Sequence, residues 1–97
     1  MGTRCDFYVG RGLEAEWIGS LAWDGYPEGI WPPLEAATEA TFRASVAALL
    51  SERKDATTPD MGWPWPWQDS SGTDFAYAFD SGQVWASSFG GPWFHPR

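Results

Sequence analysis

Few residues in this chain have side chains suited to catalysis. The single histidine, His95, stands in "PWFHPR" close to the end of the sequence, and the single cysteine, Cys5, stands close to its start. The two could act as base and nucleophile only if both ends of the chain met. Frayed ends also position a base poorly. Asp69 and Asp74, or Asp74 and Asp80, could in principle form an acid–base pair. Their spacing matches no catalytic motif, and Asp80 is already accounted for by turn chemistry. One Cys and one His cannot build a structural zinc site. "DSSGTD", 69–74, lacks the alternating ligands and final Glu of a calcium loop. "GRG", 10–12, is only a fragment of a phosphate-binding loop. The expectation is a protein without catalytic residues, metal or cofactor.

The residues suited to recognition are aromatic and acidic. "MGWPWPWQDS", 61–70, alternates Trp63, Trp65 and Trp67 with Pro64 and Pro66. Proline fixes its own φ and pushes the preceding residue towards extended geometry. A β-like segment would line up the three indoles on one face. A polyproline II segment would point them in three directions. Either way the segment is stiff, so it serves as a lid over a small core or as a preorganised aromatic patch. Trp65 is expected to be the most exposed of the three.

A second feature is charge. Between Arg11 and Arg43 there is no Lys or Arg but six carboxylates: Glu14, Glu16, Asp24, Glu28, Glu35 and Glu39. Trp17, Trp23, Tyr26 and Trp31 are interleaved with them. This interval reads either as a solvated face or as a docking surface for a basic groove. The candidate partner-binding residues are therefore Asp24, Tyr26, Glu28, Trp31, Trp63, Trp65 and Asp69.

Bulk composition agrees with recognition of a basic partner. The formal net charge is −7 over 97 residues. Binding to nucleic acid needs lysines and arginines that displace counterions, so direct nucleic-acid binding is disfavoured. Anionic membranes are disfavoured for the same reason. A protein partner with a basic surface is favoured. Eight Trp, six Phe and three Tyr exceed what a core of this size can hide. A homodimer is one way to bury the excess. With one cysteine there can be no internal disulfide, and Cys5 is expected to be a buried thiol. No apolar run reads as a signal peptide or a membrane span. The expected location is inside a cell, in a reducing compartment.

The elements that must position these residues read as follows. "RCDFYVG", 4–10, and "EWIGSLAW", 16–23, alternate as strands do and form a hairpin. Cys5, Phe7 and Val9 share one face of the first. Trp17, Gly19, Leu21 and Trp23 share one face of the second. "DGYPEGIWPP", 24–33, is irregular. A helix is predicted over 38–54, with a short turn at 33–37. Its apolar stripe is Phe42, Val46, Leu49 and Leu50, and Arg53 and Lys54 lie in its last turn. "TDFAYAFDSGQVWASSF", 73–89, is a second hairpin. A three-residue turn at Asp80–Gly82 would pair Tyr77 with Trp85. It would gather Phe75, Tyr77, Phe79, Trp85 and Phe89 on one face. The fold class is α+β: a single domain (1–97), a four-stranded antiparallel sheet in the order β-β-α-β-β, with one amphipathic helix packed on one face.

The segments "CDFYVGRG", "EWIGS", "AWDGYP", "GWPWPWQDS" and "VWASSFGGPWF" give the chain a resemblance to small orphan proteins encoded by phages and prophages. The resemblance covers most of the chain. It implies an accessory gene of a mobile element, acting in the cytoplasm of a bacterial host cell on a host protein or nucleoprotein complex with a basic surface, and no catalytic residue comes with it. Short acidic phage proteins often act by binding and blocking a host component. The expected function is accordingly a small, acidic, non-enzymatic binding protein that blocks a host macromolecule, an anti-defence inhibitor of the anti-CRISPR kind. Two other readings stand beside it. One is a nucleotide- or sugar-sequestering protein that uses tryptophan stacking. The other is a virion or assembly protein.

Overall fold

The computed structural model describes residues 3–12, 15–25, 30, 38–63 and 73–94. Among these, the strands are β1 (Cys5–Val9), β2 (Glu16–Leu21), β3 (Ala56–Thr57), β4 (Phe75–Asp80) and β5 (Gln83–Ser88). One α-helix, α1, runs over Glu39–Ser51. The strands form a single five-stranded sheet in the order β3-β2-β1-β4-β5. The α+β class is as expected, but the sheet is mixed rather than four-stranded and antiparallel. Central β1 pairs antiparallel with β2 and parallel with β4. The extra strand is two residues long, Ser20 and Leu21 facing Thr57 and Ala56. Composition patterns mark individual hairpins. The direction in which two hairpins meet is decided by the crossover between them.

The helix begins where its capping chemistry puts it. The Thr38 hydroxyl accepts from the Thr41 amide, and the Thr41 hydroxyl receives the Thr38 amide in return. This reciprocal cap satisfies two orphan donors. Phe42, Val46 and Leu50 are the buried stripe, with Leu49 partly buried beside them. The helix ends at Ser51, three residues short of the predicted 54, so Arg53 and Lys54 lie beyond its last turn. Arg53 is drawn off by Asp55, as described below. The predicted turn at 33–37 lies outside the described residues.

The core lies between α1 and one face of the sheet. Phe42 meets Phe79 with ring centroids 5.6 Å apart, and Phe7 stacks on Tyr77 at 5.7 Å. Cys5, Leu21, Ile30, Val46, Val84 and Ala86 complete it. Gly19 lets the helix close down: a Cβ there would lie 2.3 Å from Leu50 Cδ1. Replacing a fully buried Phe by Ala in such a core costs about 3–5 kcal/mol.

Two register details depart from the sequence expectation. In β2 a bulge inserts Ile18: Phe7 faces Gly19, but Tyr8 already faces Trp17. Trp17 therefore sits on the sheet face away from the helix, not on the face of Gly19 and Leu21. A bulge breaks the two-residue period without changing composition, so alternation cannot reveal it. In the β4–β5 hairpin, Phe79 pairs with Val84 and Tyr77 with Ala86. The turn thus has two central residues, Ser81 and Gly82, both at positive φ (53° and 76°). That is the type I′ pattern, whose twist matches the strands. Trp85 consequently faces Ala78 on the second face. Pairing a large residue with a small one across the strands outweighs segregating all the aromatics on one side. A second turn repeats the device. Phe89 and Gly90 take positive φ, Gly91 N–H donates to Ser88 O, and Phe94 returns to bond Ala86.

Candidate functional site

Among the described residues, the turn that leaves β2, Trp23-Asp24-Gly25, is held on both sides. The backbone of residues on either side of Asp24 is tied down. Trp23 N–H donates to Asp55 Oδ2 at 2.8 Å, and Arg53 Nη2 donates to Trp23 O at 2.7 Å. Gly25 N–H donates to Thr3 O at 2.8 Å, and Tyr77 Oη donates to Gly25 O at 2.6 Å. The Arg53–Asp55 pair that grips Trp23 is itself closed by two hydrogen bonds, each 2.9 Å. The Asp55 side chain is 1% exposed. Hydrogen bonds to charged groups are worth about 1.5–3 kcal/mol each.

The sequence supplies each part of this clamp for a reason. Gly25 is required because a Cβ there would lie 2.7 Å from Cys5 Cβ and 2.8 Å from Cys5 Sγ. Cys5 is fully buried beneath it, as expected for this thiol, and burial followed by the neighbouring Asp6 pushes its pKa up. Asp24 takes φ +54°, in the left-handed region. Asp tolerates that region better than most residues. The outcome is an apex that projects outward. Asp24 is exposed, and Trp23 keeps 55% of its surface in solvent.

At the other end of β2 the surface is built differently. Arg43 reaches from α1 to Glu16 through two hydrogen bonds, 2.7 and 3.2 Å, and to Glu39 at 2.8 Å. The hydrogen bonds from Arg43 hold the Glu16 carboxyl below the usual range, and both carboxylates raise the Arg43 pKa. Next to this bridge lies a groove of about 350 Å³ lined by Ile18, Val46, Ala47, Leu50, Ser51, Thr58 and Arg43. The bulge places Ile18 there. Its aliphatic lining suits an apolar side chain rather than a stacked base or sugar. On the opposite face Trp63 packs edge-on against Trp17, centroids 4.7 Å apart. Trp17 Nε1 donates to Gly19 O and Ser20 Oγ, and Ser20 Oγ donates to the buried Asp6 carboxylate at 2.5 Å. At the β4–β5 turn, the Arg11 guanidinium lies 4.0 Å from the Trp85 ring centroid while its Nε bonds Asp80 Oδ2 at 2.8 Å.

The predicted partner-binding residues divide as follows. Asp24 stands at the apex of the clamped turn. Trp63 is half-buried against Trp17, at the far end of β2, so the structure does not join these two in one cluster. Tyr26, Glu28, Trp31, Trp65 and Asp69 lie outside the described residues, as does the expectation that Trp65 is the most exposed indole. Of the acidic interval, Glu16 and Glu39 are engaged by Arg43. Asp74 accepts the Arg4 amide at 2.9 Å. The residue that sequence reading left out of the site is Trp23. Its signal was the triplet Trp-Asp-Gly at a strand end, where Asp-Gly marks a turn.

Among the described residues no group of three or more His, Cys, Asp or Glu is placed to hold a metal ion. No helix among them is long and apolar enough to cross a membrane. Compared with protein-family models, with curated proteins and with solved structures, the chain matches none.

Proposed function

We propose that this chain is a small acidic binding protein that blocks a host macromolecule, in the manner of a phage inhibitor of a bacterial defence complex such as a CRISPR effector. One observation carries the reading: an exposed indole, Trp23, on a turn whose backbone is clamped from both sides by Arg53, Asp55, Thr3 and Tyr77. A tryptophan left in water gives up its burial energy, and a turn at positive φ adds strain. A fixed aromatic anchor loses little entropy on association, and Trp is enriched among the residues that dominate interface energy. The net charge of −7 directs such an anchor to a basic surface.

Co-purification tests this reading. Tagged wild-type protein should retain a stable partner from a bacterial host lysate, and Trp23→Ala should lose it while melting at nearly the same temperature. Recovery of no partner from several hosts, or equal recovery by Trp23→Ala, contradicts the proposal.

A further inference from the structure

We infer that the Trp23–Asp24 apex is an acceptor for an arginine side chain of the partner: the guanidinium stacks on the Trp23 indole while the Asp24 carboxylate pairs with its N–H groups. This rests on the binding-protein reading above and specifies what the site would hold. The chemistry is already present once inside the molecule. Arg11 lies over the Trp85 ring at 4.0 Å and bonds the Asp80 carboxylate at 2.8 Å. There one indole and one carboxylate hold one guanidinium between them. At the apex the same two groups stand next to each other in sequence, both exposed, and among the described residues no guanidinium stacks on Trp23.

Local charge favours a cation at this point. Arg53 reaches the turn through Trp23 O, and its charge is matched by Asp55, which it holds through both Nε and Nη2. Among the described residues Asp24 forms no salt bridge. A guanidinium fits this pair better than an ammonium does. Its planar fork meets a carboxylate while its face stacks on an aromatic ring, and it is more weakly hydrated. The clamp adds specificity because the backbone that carries the indole and the carboxylate is held on both sides. The left-handed φ of Asp24 also makes Asn a faithful control, since Asn adopts that conformation equally well.

The test is titration of the protein with a short oligoarginine peptide and, separately, an oligolysine peptide of equal length. The backbone amides of Trp23, Asp24 and Gly25 are followed by NMR. Oligoarginine should shift these amides saturably. Stacking and pairing of this size make oligolysine weaker by about three- to ten-fold. Asp24→Asn and Trp23→Ala should each weaken oligoarginine by a similar factor, with Trp23→Phe falling between. Equal affinity for the two peptides overturns the inference, as does unchanged oligoarginine affinity in Asp24→Asn. If oligoarginine fails but Trp23→Ala still loses the partner captured by wild type, the arginine acceptor is refuted and the binding reading survives. If Trp23→Ala keeps that partner, the binding reading itself falls.

Discussion

Asp55 shows how much one buried carboxylate can organise. It takes both the Trp23 amide and the Arg53 guanidinium, and its side chain is almost fully enclosed. Removing it leaves the Trp23 N–H and the Arg53 guanidinium without their acceptor, and hydrogen bonds to charged groups contribute about 1.5–3 kcal/mol each. Asp55→Ala should therefore lower unfolding free energy by about 2–4 kcal/mol in urea titration and should speed amide exchange at Trp23. Trp23→Ala should leave both readings nearly unchanged, because its indole is largely in solvent. Cys5 gives a second prediction at this scale. Its pKa is raised in the folded state by burial and then by Asp6, so the folded chain holds the thiol proton after the unfolded chain has released it. The thiol's contribution is fully present at neutral pH and is lost as pH rises above about 9. Cys5→Ala should flatten that alkaline decline in stability.

At the scale of elements, the helix and both hairpins were legible because each rests on local chemistry. Thr38 at the cap and the stripe Phe42, Val46 and Leu50 are short-range signals; the Asp-Ser-Gly run marked a turn, but it holds two central residues rather than the expected three, so the register was not legible. Thr38→Ala should cost about 1 kcal/mol of stability, measured by denaturation. Ser81→Asn would place Asn-Gly in the two-residue turn, and should raise stability by about 0.5 kcal/mol because Asn accepts positive φ more readily than Ser. What was not legible depends on long-range pairing or on a single inserted residue. Ile18 shifts Trp17 to the other face of β2, and no compositional change marks the shift. Arg53 read as a helix C-terminal cation because its spacing fits that role. Its partner Asp55 stands two residues on, but its target, the Trp23 carbonyl, is joined to it only by the folded sheet edge. The parallel alignment of β1 with β4 likewise follows from the whole crossover. For the candidate site the same limit applied. Asp24 was legible as an acidic turn residue, whereas Trp23 was read as one of the aromatics interleaved with the acidic interval and was not placed in the site.

At the scale of the molecule, an excess of negative charge surrounds a small aromatic core, and among the described residues three arginines are held by carboxylates. Arg11 is on Asp80, Arg43 on Glu16 and Glu39, and Arg53 on Asp55. The net field is left acidic, which favours encounter with basic surfaces and predicts association that weakens as salt rises. Glu16 has its pKa lowered by Arg43, so that pair supports the fold above the ordinary carboxylate range and releases it as pH falls below it. The claim that unites these scales is that Trp23, fixed at the end of β2, is the anchor with which the protein blocks a host defence complex. Phage plating on a panel of bacterial strains, each immune through one CRISPR system, tests it most directly. Wild-type protein expressed in the host should restore plating on at least one strain, and Trp23→Ala, at equal abundance, should not. Plating unchanged by the wild-type protein across the panel, or restored equally by Trp23→Ala, would contradict the account.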